Sequence, residues 1–217
     1  MLESFKMNCF PLNRAVRVTI HLPKDYYNNE RFYPAIYFLD GQNLYEDTES
    51  YRKCYHLKNM IHELSKDDKE AIYIGIWAAS NEERRNLEYL SHELADFILT
   101  SIHSFLKERY RLNSYIYVVG AAKASNMALN MCDHSLIKGV VLLAPELTIE
   151  QIDAHTYDEG KLYYFYSGDE LNGTCLNIVE KLKEKFLNSY IQFDKNKQHD
   201  EEGWQQGLIK ALNYLVL

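Results

Sequence analysis

Residues 115–129 constrain the fold of this chain more than any other stretch. Tyr115-Ile-Tyr-Val-Val119 alternates aromatic and β-branched residues, the pattern of a buried strand. Gly120, Ala121, Ala122 and Ala124 then supply a tight turn, and Met127, Ala128, Leu129 and Met131 continue at helical spacing. A strand that turns this sharply brings its backbone almost against the following helix, which only small side chains permit.

The rest of the chain repeats the alternation. Arg14 to Leu22 reads as an early strand. Tyr33–Leu39, Ala71–Trp77, Gly139–Leu143, Leu162–Tyr166 and Ser189–Phe193 are apolar runs of strand length. Between them, Tyr51–Leu64, Ser91–Tyr110, Thr174–Leu187 and Gly203–Leu217 show helical spacing, with Ser91 opening the longest. Ala78–Tyr89, rich in Asn, Glu and Arg, reads as a loop. This order predicts an α/β fold with a mostly parallel central sheet and helices on both faces. Residues 1–217 are expected to form a single domain with no separate cap, since no long insertion interrupts the alternation. In such sheets, sites gather at the carboxyl ends of the strands. Those loops are Asp40–Asn43, Ala78–Tyr89, Gly120–Ser125, Ala144–Glu146, Gly168–Glu170 and Lys195–His199.

Composition removes several function classes. A formal net charge of −7 argues against a nucleic-acid partner. Apolar residues make up 47% of the chain, enough for a core, but no run suits a membrane span. The first ten residues lack the apolar centre of a signal peptide. Cys9, Cys54, Cys132 and Cys175 form no C-x-x-C pair, so neither a zinc nor a redox motif is expected. The histidines show no metal-ligand pattern; His56 and His62 are expected on one helix but not on one face. The expectation is a cytoplasmic protein with free thiols and no metal. The 18 Tyr read as half-buried sheet residues.

The strand–turn–helix at Gly120 has the form of a nucleophile elbow, G-x-S-x-G, in which a serine hydroxyl sits on the turn. Here the nucleophile position is Ala122 and the second glycine is Ala124. In the α/β-hydrolase order the nucleophile is followed by an acid and then a histidine. Asp169 or Glu170, after a strand and a glycine, and His199, before the last helix, stand in that order. Read alone, each is also an ordinary polar loop residue. The oxyanion hole would use backbone N–H groups of Lys123 and of the turn near Gly41 and Gln42. Glu146, at the end of another strand, is a candidate pocket residue, and Lys123 is a candidate contact for an anionic ligand or for Glu146 or Asp169.

Phe32-Tyr-Pro-Ala-Ile-Tyr-Phe-Leu-Asp-Gly-Gln-Asn43 resembles the strand and turn of the Putative esterase family, which includes esterase D and enterochelin-esterase-like hydrolases. Arg85-Asn-Leu-Glu-Tyr89 resembles that family's R-x-x-E-Y segment, which implies that Arg85, Glu88 and Tyr89 frame the site. His199 followed by Trp204 is similar to its H-x-x-x-x-W ending. The resemblance implies an α/β-hydrolase fold and, for active members, hydrolysis of esters or thioesters by a serine triad without metal or organic cofactor. The family elbow reads G-x-S-x-G-G, whereas this chain has Gly120, Ala121, Ala122, Lys123, Ala124 and Ser125. Alanine forms no acyl-enzyme. The expectation is therefore an inactive or impaired homologue that binds a small-molecule ester or related ligand. The alternative is an active serine esterase, seen as a Ser-to-Ala variant at Ala122 or using Ser125. The apolar end Tyr214–Leu217 suits either docking in the core or a homodimer contact.

Overall fold

The structure is a computed structural model that describes residues 1–51, 53–64, 70–168, 174–195 and 199–215. Among these residues, eight strands form one sheet: β1 (Leu2–Cys9), β2 (Arg14–His21), β3 (Tyr33–Leu39), β4 (Ile72–Ile76), β5 (Leu112–Ala121), β6 (Ile137–Leu143), β7 (Leu162–Gly168) and β8 (Ser189–Asp194). Their order is β1-β2-β4-β3-β5-β6-β7-β8. The strands from β3 to β8 run parallel, and β1 and β2 add an antiparallel edge. The predicted α/β-hydrolase architecture is therefore present.

Side-chain alternation along each strand feeds two cores. Ala35, Tyr37, Val118, Tyr163 and Phe165 face one, under α2 (Glu82–Leu90), α3 (Glu93–Phe97), α4 (His103–Arg109), α5 (Ala124–Cys132) and α7 (Thr174–Lys185). Ile36, Phe38, Val119, Tyr164 and Tyr166 face the other, under α1 (Leu57–Leu64) and α8 (Glu201–Leu215). Helix α8 drives Leu208, Leu212 and Leu215 into that core, so the apolar C-terminus docks inward as far as it is described. The sheet tyrosines are more deeply buried than expected: Tyr33, Tyr37, Tyr73, Tyr163, Tyr164 and Tyr166 are all essentially covered. A buried phenol usually finds a partner for its hydroxyl: Tyr37 has His103 Nδ1 at 2.9 Å and Tyr33 has Asn29 Oδ1 at 2.9 Å.

One strand is added and three readings are corrected. Leu2–Cys9 is a strand, because Phe5, Met7 and Cys9 alternate toward the sheet. Helix α1 begins only at Leu57; His56 has a left-handed backbone (φ 49°) and precedes it. Residues 82–90 are helical rather than loop, started by Asn81 Oδ1, which accepts the Arg84 N–H at 2.9 Å. Ser91 ends that helix instead of opening the next: its N–H and Oγ both donate to the Glu88 carbonyl. The following helix runs from Glu93 to Arg109 through a π-helical stretch at Ile98–Ile102. A short helix, α6 (Ile149–Asp153), carries a capping box from Thr148 and Gln151. No helix among the described residues is long and apolar enough to cross a membrane.

Candidate active site

The elbow is built as its small residues demand. Strand β5 ends at Ala121, Ala122 takes a left-handed conformation (φ 47°), and α5 starts at Ala124. A side chain on Gly120 would place its Cβ 2.7 Å from both the Ala124 carbonyl oxygen and the Ala128 Cβ, so helix and strand meet there. The turn is stitched to the end of β6. Ala122 N–H donates to the Leu143 carbonyl at 2.9 Å, and Glu146 N–H donates to the Ala122 carbonyl at 3.1 Å. Asp40 and Ala144, at the ends of β3 and β6, share the left-handed backbone of Ala122 (φ 58° and 43°). Three neighbouring strand ends thus hold a sparsely populated conformation, which costs on the order of 1–3 kcal/mol each and collects where sites are built.

A cavity of about 450 Å³ opens over these strand ends. Asp40, Asn43, Tyr51, Glu82, Arg85, Ala121, Ala122, Lys123, Glu146, His199, Glu201 and Trp204 line it. It therefore brings together Ala122, Lys123, Arg85, Glu146 and His199 from the sequence reading. A smaller cavity of about 310 Å³, near His21 and Glu70, lies at the amino ends of the parallel strands. Position in the sheet favours the larger one.

The remaining candidates stand behind the lining. Asp40, 5% exposed, is the hub of one wall. Its Oδ1 accepts from Arg85 Nε at 2.7 Å, Tyr89 OH at 2.7 Å and Gln42 Nε2 at 3.0 Å, and Oδ2 accepts from Arg85 Nη2. Gln42 in turn accepts the Ala78 N–H at 3.1 Å. Gly41 packs on β4 so closely that an added Cβ would lie 2.5 Å from the Gly75 carbonyl carbon. Gly41 and Gln42 are buried, and it is Asp40 and Asn43 of that turn that reach the cavity. Glu88 points elsewhere: it holds Arg14 through Nε and Nη2 at 2.7 Å each, fixing the start of β2 to α2. Asp169 and Glu170, the two candidates for the acid, lie outside the described residues. Ser125 is fully buried, caps nothing and is not among the residues that line the cavity.

His199 stands edge-on to Trp204, with ring centroids 4.9 Å apart. Its Nε2 lies 3.2 Å from Glu146 Oε1. That bond, aided by the charges of His199, Lys123 and Arg85, holds the Glu146 carboxyl below its ordinary range. Glu201 behaves oppositely. Burial pushes it up to about 7, although Asn43 Nδ2 donates to its Oε1. Sequence reasoning missed Glu201, Asn43 and Tyr51 as lining residues. Only the clustering in Asp-Gly-Gln-Asn43 and His199-Asp-Glu-Glu202 offered a signal.

The profile of the family described as Putative esterase matches residues 11–135, more than half of the chain. A search of curated protein sequences gave no match. Among solved structures, a ferulic acid esterase superposes with a TM-score of 0.75 at 16% identity, over 100% of this chain and 98% of its own. An IroE-like serine hydrolase from Shewanella oneidensis gives 0.76 at 14% identity, over 100% and 80%. The enterobactin esterase FES from Shigella flexneri gives 0.81 at 16%, covering 99% of this chain but 58% of that one. At these identities the superpositions establish the fold, and the profile establishes the family: the chain belongs to the Putative esterase family of α/β-hydrolases.

Proposed function

We propose that this chain is a catalytically silent or strongly impaired esterase homologue that uses its pocket to bind a small-molecule ester or related ligand. The pair between His199 and Glu146, beside a turn residue without a hydroxyl, carries the reading. A serine esterase needs an oxygen nucleophile and a histidine Nε2 that takes its proton. Ala122 offers no oxygen. An ionised carboxylate only accepts hydrogen bonds, so the bond to Glu146 puts a proton on His199 Nε2 and leaves that nitrogen no lone pair. Both halves of the first chemical step are then missing.

Recognition elements remain. Arg85 and Lys123 bring positive charge to the cavity, and Tyr51 and Trp204 bring rings. The FES structure was determined in the presence of enterobactin. From that relative the reading takes only the ligand class, a small-molecule ester, and it needs no metal or organic cofactor in the pocket. Cys9, Cys54 and Cys132 are free and buried, which suits a reducing compartment such as the cytoplasm.

The test is hydrolysis of p-nitrophenyl acetate and butyrate by the chain, by A122S and by A122S/E146A. The chain is expected at the buffer background and the double variant above it. Turnover by the chain itself, above background and proportional to enzyme, overturns the reading.

A further inference from the structure

The dispersed cysteines gave no reason to expect a metal, yet the fold gathers three ligand types away from the cavity lining. Asp47, Cys54 and His56 place a carboxylate oxygen, a thiol sulfur and an imidazole nitrogen within 4.8 Å of one another. Cys54 Sγ lies 3.1 Å from His56 Nδ1. We infer that Asp47, Cys54 and His56 form a three-ligand site for a late transition-metal ion of the zinc type, with water as the fourth ligand.

The backbone around the cluster is already fixed. Cys54 N–H donates to Asp47 Oδ1 at 2.8 Å, which holds the carboxylate over the sulfur. Tyr55 and Leu57 donate their N–H groups to the Asn43 and Leu44 carbonyls at 2.8 and 2.9 Å. His56, between them, has φ 49°, a conformation rare outside glycine. This clamped and strained backbone is what keeps the His56 ring beside Cys54. Tetrahedral zinc, with bonds of about 2.3 Å to sulfur and about 2.0 Å to nitrogen, separates those ligands by roughly 3.5 Å. The observed 3.1 Å needs to open by only a few tenths of an ångström, a side-chain adjustment.

The donor set selects the ion. Thiolate and imidazole favour zinc and its neighbours over magnesium or calcium. On binding, the Cys54 S–H bond breaks, its proton leaves to solvent, and sulfur bonds the metal. Access also distinguishes a metal from an organic substrate. Cys54 is fully covered, while Asp47 and His56 are exposed, so a small ion passing between them reaches a sulfur that an electrophilic substrate cannot. The consequence is local order next to the pocket. The same loop carries Tyr51 into the cavity lining, and Asn43, whose carbonyl anchors Tyr55, binds Glu201 there.

Cobalt(II) is the probe. The reduced, chelator-treated chain is titrated with it and followed by absorption, then back-titrated with zinc. One equivalent is expected, with a thiolate-to-cobalt charge-transfer band that C54S abolishes. H56A and D47N, at exposed positions, are expected to keep the parent's circular dichroism and melting curve. They should weaken binding by at least about tenfold, the loss that even an outer-shell partner causes. The inference is overturned if the parent gives no band, if the band survives in C54S, or if folded H56A and D47N bind as the parent does.

Discussion

Nε2 of His199 lies 3.2 Å from Oε1 of Glu146, a residue 53 positions earlier, and Glu146 is itself bonded through its N–H to the Ala122 carbonyl. The histidine proposed as the base, the turn where a nucleophile would sit and the carboxylate bonded to that histidine are thus tied into one unit. Restoring a serine at position 122 would leave His199 engaged. Removing the carboxylate as well should release Nε2 from that bond. We expect A122S/E146A to exceed A122S in kcat for p-nitrophenyl acetate by on the order of 100-fold, the lower range of general-base catalysis. Equal rates for the two variants would show that Glu146 does not hold the base.

The Arg85–Asp40 pair predicts a large stability effect. Both side chains are nearly covered, at 12% and 6% exposure, and Tyr89 completes the cage around the carboxylate. Removing one partner strands a buried charge, which costs about 3–5 kcal/mol. R85A should lose that much in urea denaturation, and R85K, which keeps the charge but not the two-pronged geometry, should fall between. A loss below about 1 kcal/mol for R85A would place Asp40 in contact with solvent.

Glu201 makes stability depend on pH. Its folded-state value of about 7 lies above the ordinary 4.5, so between those pH values the folded chain keeps a proton that the unfolded chain has released. Stability therefore falls as pH rises from 4.5 to 7, by on the order of 3 kcal/mol for this group. E201Q stays neutral and can still accept from Asn43. Its melting temperature should match the parent's near pH 4.5 and exceed it at pH 8. An E201Q advantage that does not change with pH would contradict the assignment.

Gly41 is fixed by contact rather than by turn geometry alone. A Cβ there would overlap the backbone of Gly75 and Ile76, at 2.5 and 2.7 Å, and backbone does not yield as a side-chain tip does. G41A should cost about 1–3 kcal/mol. G160A meets only the Asp158 carboxylate, at 3.2 Å, and should stay within about 0.5 kcal/mol. Similar losses from both would mean that the turn does not rest on β4.

The legible parts were those with local causes. Strands covered on both faces read as apolar runs, and the elbow showed itself because Gly120 must be small where strand and helix touch. Strand β1 was lost because it lies at the edge, with Glu3 and Lys6 interrupting Phe5 and Met7. Helix α2 was lost to its charged surface, although Asn81 followed by Glu82 and Glu83 is a start signal. The site itself is long-range. Asn43 and Glu201 meet across 158 residues, and the polar clusters around them mark neither as the other's partner. The Glu146–His199 pair joins two candidates that the sequence offered separately.

Labelling with a fluorophosphonate, which bonds an activated serine hydroxyl far faster than an ordinary one, tests the central claim most directly. The chain, A122S/E146A and S125A would be incubated with the probe and weighed as intact proteins. The account predicts no adduct on the chain or on S125A, and one adduct, mapping to position 122, on A122S/E146A. An adduct on the chain itself would contradict it, and its loss in S125A would show that the nucleophile had moved to Ser125.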